Sequence, residues 1–226
     1  MKYDFTTVID RAGRDSIAAD VIPFEGLSVD EGFDPIPMWI ADMSFPVAPA
    51  VISAIKSRLD FPSFGYFPLS REYFDSIIGW QRRRNGVEGL LPEHIGYENG
   101  VLGGVSAAVQ AFSAPGDRVL VHAPTYVGFT HTLEDIGRPI VHSELVRDAD
   151  GIWRMDYEDM DRKLREHNIH LAIFCSPHNP CGRVWERREI EKAMEVYAAN
   201  DCVVISDEIW SDIIMPGYKH IPTQSV

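Results

Sequence analysis

Two kinds of hydrophobic pattern alternate along the chain from residue 47 onward. In the first kind, apolar residues recur every three or four positions, which is typical of an amphipathic helix. Residues 46–59 and 70–85 show this pattern, and the second of them stops at Asn85-Gly86. The same pattern predicts three later helices, over residues 126–136, 156–167 and 186–199.

The second kind of pattern is a short run that is apolar at nearly every position. Such runs are typical of strands that are buried on both faces of a sheet. Three of them lie at residues 118–122, 171–175 and 202–206, and residues 138–145 are a candidate for a fourth strand. Because strand and helix alternate, the sequence predicts an α/β fold with a mostly parallel sheet and helices on both faces.

The first 45 residues break this alternation. They contain the proline-rich residues 34–37 and the unusual segment Met38-Trp-Ile-Ala-Asp-Met43. We therefore expect residues 1–45 to form an N-terminal arm and small-domain segment, and residues 46–226 to form a large domain.

Composition and charge exclude several classes of protein. The 226 residues are 45% hydrophobic and 24% charged, as in ordinary globular proteins. There are 34 acidic and 21 basic residues, so the formal net charge of -13 argues against a nucleic-acid partner. No stretch approaches the roughly 20 apolar residues of a membrane span, and the N-terminus lacks a secretory signal. We expect a cytoplasmic protein with no membrane partner.

Three cysteines, Cys175, Cys181 and Cys202, form neither an even disulfide framework nor a Cys-x-x-Cys pair. This pattern fits a reducing compartment. His178 and Cys181 lack two further ligands at metal spacing, so no metal site is predicted.

The candidate chemistry lies just beyond the carboxyl ends of the predicted strands, where open parallel sheets bind their ligands. Tyr126 follows the first strand, Asn179 follows the second, and Asp207 directly follows the third. Tyr126 and Asn179 each have an ordinary explanation, as a packed aromatic and as part of a turn. Asp207 differs, because a carboxylate after four apolar residues is partly buried and needs a cationic or hydrogen-bonding partner.

Together these residues describe a flat, electron-poor heteroaromatic ring that carries a phosphate. The segment Gly100-Val-Leu-Gly-Gly-Val-Ser-Ala107 opens a helix that runs to about Phe112. Its N-terminus, at Gly103 to Val105, offers free N–H groups to a phosphate, although the glycine spacing is not that of a known nucleotide motif. Tyr126 can stack on the ring, and Asn179 can donate a hydrogen bond to a ring oxygen. Asp207 can keep a ring nitrogen protonated, which is how pyridoxal phosphate becomes an electron sink.

Four segments carry a resemblance to a known family. They are Pro37-Met-Trp-Ile-Ala-Asp-Met43, Phe64-Gly-Tyr-Phe-Pro68, Ser176-Pro-His-Asn-Pro-Cys-Gly-Arg-Val-Trp185 and Ser206-Asp-Glu-Ile-Trp210. Together they resemble the aminotransferase class I/II family of fold-type-I pyridoxal phosphate enzymes. Within it they are similar to the MalY/PatB branch of C–S β-lyases, typified by cystathionine β-lyase. The resemblance implies a PLP-dependent transferase-like large domain, whose C-terminal part is absent from this sequence.

The resemblance also implies roles around the cofactor. Asp207 would be the partner of the pyridine nitrogen, Asn179 the donor to the ring hydroxyl, and Tyr126 the stacking aromatic. The phosphate turn would consist of Gly103, Gly104 and Val105.

Further roles implied by the resemblance lie outside these loops. Tyr66 would reach the phosphate of the neighbouring subunit, which implies a homodimer with shared active sites. Ala41 would approach the substrate carboxylate. Trp210 stands where many aminotransferases have a tyrosine, and its indole N–H would at most imitate that donor. The Asn179-Pro180 peptide is expected to be cis.

The family joins its cofactor to a lysine that follows the next strand, and this sequence stops before that point. The lysines present are Lys2, Lys56, Lys163, Lys192 and Lys219, and none of them matches the Schiff-base residue. As written, the sequence is therefore expected to be an incomplete enzyme.

For the complete enzyme, the resemblance implies cleavage of a sulfur amino acid, such as cystathionine or another cysteine conjugate, to a thiol, pyruvate and ammonia. An aminotransferase of class I/II is the nearest alternative, and it would need a keto-acid acceptor. A non-catalytic regulatory protein that retains the fold is a further alternative. A dinucleotide-binding Rossmann protein is disfavoured by the glycine spacing.

Overall fold

The computed structural model describes residues 3–23 and 26–226, so Lys2 lies outside the described residues. The chain divides into two compact units, Met1–Pro68 (unit 1) and Leu69–Val226 (unit 2). The domain boundary expected after residue 45 falls inside unit 1. Because a compact unit is not by itself a domain, that boundary stays a prediction.

The described residues of unit 1 form two helices, α1 (Ile17–Asp20) and α2 (Pro49–Leu59). Helix α2 starts three residues later than predicted, because Ala48 still has extended backbone angles and Pro49 occupies the first helical turn. No residue of α2 is buried. Its predicted apolar stripe, with Val51 and Ile55 at 49% and 55% exposure, is therefore an uncovered surface of this chain.

Unit 2 is organised around a parallel sheet. Its strands are β1 (Val119–Ala123), β2 (Ile140–Glu144), β3 (Val146–Arg147), β4 (Trp153–Arg154), β5 (Leu171–Cys175) and β6 (Val203–Asp207). Four of them form an all-parallel sheet in the order β2-β1-β5-β6, while β3 and β4 form a separate antiparallel pair. In the register of β5 with β6, Cys175 lies opposite Asp207. The loops that follow these strands therefore leave from the same edge.

Helices precede the first strand and connect the later ones, as the sequence predicts. They are α3 (Arg71–Trp80), α4 (Val101–Phe112), α5 (Val127–Asp135), α6 (Tyr157–Glu166) and α7 (Arg187–Ala199). The Ser70 side chain caps α3 by accepting from the Tyr73 amide at 3.2 Å. A π-helical turn, Gln81–Asn85, extends α3 to the predicted stop, where Gly86 has a φ of 71°. Among the described residues, no helix has the length and apolar character needed to cross a membrane.

The core of unit 2 consists of two apolar layers, one on each face of the sheet. Successive strand residues point to opposite faces, so β1 and β5 contribute to both layers. One layer contains Leu120, Phe174, Met160, Leu164, Ile190 and Tyr197, from β1, β5, α6 and α7. The other contains Val121, Ile173, Val105, Val109, Phe129 and Leu133, from β1, β5, α4 and α5. The predicted covering of both faces by helices is confirmed.

Two features differ from the sequence prediction. Strand β6 is not buried on both faces, since Val203 is 39% exposed. The reason is that β6 is an edge strand of the described sheet, with β5 on one side only. The β3–β4 pair was not predicted at all, because two-residue strands are too short to show a period-two pattern.

Candidate functional site

A groove of about 450 Å³ opens at the carboxyl edge of the sheet. The first turn of α4 forms one wall, through Gly100, Val101, Gly104 and Val105, and residues 205–209 at the end of β6 form another. The structure thus brings the predicted glycine turn and Asp207 into one groove.

Asp207 is the last residue of β6 and is only 6% exposed, as the apolar run before it predicted. Its Oδ1 accepts a hydrogen bond from the Ile209 amide at 3.0 Å. Within the described residues, no arginine, lysine or histidine pairs with this carboxylate. Burial raises the pKa of Asp207 above its ordinary value, and the nearby Glu208 charge acts in the same direction. A carboxylate in this environment favours a cationic ligand.

Helix α4 presents its N-terminus to the groove. Gly100 precedes the helix with a φ of 92°, a left-handed conformation that glycine adopts readily. The amides of Val101, Leu102 and Gly103 have no partner inside the helix, because they belong to its first turn. In contrast, the Gly104 amide donates to the Gly100 carbonyl at 3.2 Å. The free donors therefore overlap the predicted turn only at Gly103, although Gly104 and Val105 also line the groove.

Tyr126 and Asn179 lie on the two loops that leave β1 and β5. Tyr126 is the N-cap residue of α5, and its half-buried ring packs edge-on against Phe129 with centroids 5.4 Å apart. Asn179 is half-buried in a turn after β5, and the Asn179-Pro180 peptide is cis, as expected. Neither residue lines the groove that contains Asp207. The structure places both on the expected edge of the sheet without joining them to that groove.

The remaining predicted site residues are distributed between the units. Trp210 is half-buried in the turn that follows Asp207. Ala41 and Tyr66 belong to unit 1, where both are exposed.

Two of the lysines considered above are occupied by contacts of their own. Lys163 on α6 forms an ion pair with Asp159 at 2.8 Å, and Lys192 on α7 lies over the Tyr157 ring. Helices α6 and α7 cover the face of the sheet opposite α4. The structure therefore gives neither lysine a place in the groove.

Sequence reasoning missed two acidic groove residues, Glu98 and Glu208. Glu208 accepts hydrogen bonds from the Thr223 amide at 2.8 Å, and its other oxygen lies 2.9 Å from His220 Nε2. Burial raises the pKa of Glu208, but the hydrogen bonds from His220 and Thr223 outweigh it and bring the pKa below its ordinary value. The position of Glu208 directly after Asp207 was a signal for this residue. The sequence signal for Glu98 was weaker and consisted of its position two residues before Gly100.

A family model described as aminotransferase class I and II matches residues 36–224 of the chain. Cystathionine beta-lyase PatB of Bacillus subtilis is 42% identical over 193 residues, which is 85% of this chain and 49% of that protein. The match supports the resemblance to the MalY/PatB branch that the motifs indicated.

Two solved structures share the fold. The PLP-bound C-S lyase from Staphylococcus hominis has a TM-score of 0.87 and 31% identity, covering 100% of this chain and 56% of that one. Cystalysin from Treponema denticola, a structure that contains pyridoxal 5'-phosphate, has a TM-score of 0.90 and 34% identity, with 100% and 56% coverage. The expected fold class is confirmed, and the chain spans about half the length of these relatives.

Proposed function

Because the chain belongs to the aminotransferase class I and II family, we propose that the protein is a pyridoxal-phosphate-dependent C–S β-lyase. It cleaves a sulfur amino acid, such as cystathionine or another cysteine conjugate, to a thiol, pyruvate and ammonia. One observation carries the proposal. The buried carboxylate of Asp207 has no cationic partner among the described residues, and the groove it faces is also lined by the first turn of α4.

These two features fit the two charged ends of pyridoxal phosphate. The free amides of Val101, Leu102 and Gly103 suit the phosphate, since a helix N-terminus attracts an anion. Gly104 and Val105 line the same groove and would complete the phosphate turn. Asp207 suits the protonated ring nitrogen, because an ion pair offsets the cost of burying the carboxylate.

Asp207 and Glu208, the two adjacent acids at the end of β6, have different hydrogen-bond partners. Glu208 is already bonded to the Thr223 amide and to His220, so it supports the turn after the strand. The Asp207 carboxylate accepts only the Ile209 amide among the described residues, so it has a free oxygen for a ligand. The structure thus supports Asp207, rather than its neighbour, as the partner of the ring nitrogen.

When bound, pyridoxal phosphate supplies an electron sink that stabilises negative charge at the α-carbon of an amino acid. Asp207 strengthens that sink by keeping the proton on the ring nitrogen. Tyr126 would cover the ring face and Asn179 would donate to the ring hydroxyl, although neither lines the groove in the structure, and the Trp210 indole N–H would be a second candidate donor. We assign no Schiff-base lysine among the residues of this chain.

We further propose that the protein acts as a homodimer with shared active sites. Tyr66 would contact the phosphate in the neighbouring subunit, and Ala41 would approach the substrate carboxylate. The full exposure of Tyr66 and the uncovered stripe of α2 support this arrangement, because exposed apolar surfaces of this kind mark interfaces. The cytoplasmic location stays a prediction.

The test uses the purified full-length protein. We expect a visible absorbance band on addition of pyridoxal phosphate, erased by borohydride, and pyruvate release from cystathionine without a keto-acid acceptor. Alanine, which has no leaving group on its β-carbon, is the control substrate. Consumption of the amino acid only with an added keto acid would identify an aminotransferase instead. Cofactor binding without turnover of either kind would favour a non-catalytic regulatory protein.

A further inference from the structure

The two candidate ring-contacting residues, Tyr126 and Asn179, lie on separate loops. Residues 124–126 follow β1, and residues 176–182 follow β5. A ligand held by both residues requires the two loops to keep a fixed separation. Loops have more freedom than the strands that precede them, so this separation needs a contact between the loops themselves.

One side chain supplies such a contact. His178 Nε2 lies 2.9 Å from the carbonyl oxygen of Pro124. Because a carbonyl oxygen only accepts hydrogen bonds, Nε2 carries the proton and donates it. Pro124 stands two residues before Tyr126, and His178 stands directly before Asn179. A single hydrogen bond therefore joins the loops next to both candidate residues.

The imidazole is held firmly where it makes this bond. His178 is 2% exposed, and its ring packs on Trp185 with centroids 5.7 Å apart. The Trp185 indole N–H donates in turn to the Cys175 carbonyl at 2.9 Å, which fixes the tryptophan to the end of β5. Burial lowers the pKa of His178 below its ordinary value, so the ring is neutral near pH 7. The donor is thus an uncharged imidazole whose position the core defines.

The backbone of the same residue closes the turn that carries Asn179. The His178 amide donates to the Arg183 carbonyl at 2.8 Å, and the Gly182 amide donates to the His178 carbonyl at 2.8 Å. The far end of the turn is fixed as well, because Arg183 donates to Glu189 on α7 at 2.5 Å. Asn179 therefore lies in a closed turn with both ends held.

We propose that His178 is a positioning residue, which joins the loops of Tyr126 and Asn179 so that both can contact one aromatic ligand. This role rests on the proposed function, in which that ligand is the pyridine ring of the cofactor. The alternative is a purely structural role, in which His178 is a core residue that contributes to stability alone. The two differ in whether cofactor binding depends on the hydrogen bond itself.

The experiment compares three substitutions in the full-length protein. His178→Leu removes the donor, and His178→Gln keeps an amide that can reach the Pro124 oxygen. His178→Asn keeps a polar group too short to reach it, and it replaces the leucine variant if that variant does not fold. Each is measured for the dissociation constant of pyridoxal phosphate and for hydrogen exchange in residues 124–126 and 176–182 of the cofactor-free protein.

Loss of the donor is expected to raise the dissociation constant about tenfold, equivalent to about 1.4 kcal/mol. The glutamine variant is expected to stay within about threefold of the wild type, since it retains the hydrogen bond. In an Asn179→Ala background, loss of the donor is expected to cost much less, because the histidine acts through Asn179. Exchange is expected to rise in both loops without the donor and in neither with glutamine.

Unchanged cofactor affinity in the donor-less variant, or full additivity with Asn179→Ala, would overturn the positioning role. Faster exchange in residues 176–182 alone would also overturn it, because the loops would then not depend on each other. If the wild-type protein does not bind pyridoxal phosphate, the proposed function fails, and the exchange measurement still decides whether His178 joins the loops.

Discussion

The Asp207→Asn substitution removes a charge and leaves the shape of the side chain almost unchanged. Asparagine Oδ1 can still accept the Ile209 amide, which is the hydrogen bond that Asp207 makes in the structure. What is lost is the carboxylate oxygen available to a cationic ring nitrogen. A hydrogen bond to a charged group contributes about 1.5–3 kcal/mol, so the dissociation constant of pyridoxal phosphate should rise by about 10- to 150-fold.

The same substitution weakens cofactor binding but should not destabilise the cofactor-free protein. Burial raises the pKa of Asp207 above its ordinary value of 3.8, so the fold favours the protonated acid. The stability that this gives is present below pH 3.8 and is lost as pH rises through the higher folded-state pKa. Above that folded-state pKa the ionised carboxylate therefore costs stability. Asp207→Asn should melt at the same or a higher temperature than the wild type.

Asp212→Asn is the matched control. It removes one negative charge five residues away, from an exposed side chain that contacts Trp80 and Arg84. Since exposed ion pairs contribute only about 0–1 kcal/mol, cofactor affinity should change by less than about fivefold. Affinity is measured by absorbance titration and stability by thermal unfolding, with and without the cofactor. Equal affinities for Asp207→Asn and Asp212→Asn would refute the assignment of Asp207 to the ring nitrogen.

Three further substitutions probe the surroundings of the site. A Cβ at Gly128 would lie 2.4 Å from the Tyr126 ring, so Gly128→Ala should displace that ring and weaken cofactor binding by about 3- to 10-fold in the same titration. Glu189 is 5% exposed and accepts hydrogen bonds from Arg154 and Arg183, whose own side chains are partly exposed. Glu189→Gln should therefore lower the free energy of unfolding in urea by about 1–3 kcal/mol, and an unchanged free energy would show that these ion pairs do not stabilise the fold. Burial raises the pKa of Glu208, but hydrogen bonds from His220 and Thr223 outweigh it, so this pKa lies below its ordinary value of 4.5. The ionised Glu208 therefore stabilises the folded protein above pH 4.5, and this stabilisation is lost as the pH falls through the lower folded-state pKa. When the pH is lowered from about 7 to about 3, the melting temperature should therefore fall more steeply for the wild type than for Glu208→Gln.

Much of unit 2 could be predicted because its helices are periodic and its buried strands are apolar throughout. The run at residues 171–175 coincides with β5 (Leu171–Cys175), since a strand covered on both faces must be apolar at every position. The run at residues 202–206 has the same composition, yet β6 is only partly buried. The apolar pattern of a strand does not show how many neighbours it has. Its place at the edge of the described sheet could therefore not be read from Val203 and its neighbours.

In the site, too, the sequence does not show which contacts an individual backbone or side-chain group makes. The sequence predicts a helix start within residues 100–107, but only the structure shows that Gly100 takes a positive φ of 92° and that α4 begins directly after it. The apolar run before Asp207 predicts a buried carboxylate at the end of β6. Only the hydrogen bonds of Glu208 show that it is already satisfied and that Asp207 is the free one. Sequence gives the residue types at the edge of the sheet, whereas the availability of each atom depends on its partners.

The groove selects a ligand by the separation of opposite charges rather than by either charge alone. The first turn of α4 attracts an anion, and this turn alone would suit a nucleotide as well as pyridoxal phosphate. Asp207 attracts a cation, and alone it would accept any small base. Because both line one groove, a ligand that satisfies them carries a phosphate at one end and a protonatable ring nitrogen at the other. A phosphate compound without a basic nitrogen would leave the buried carboxylate unpaired, and this cost is what disfavours it.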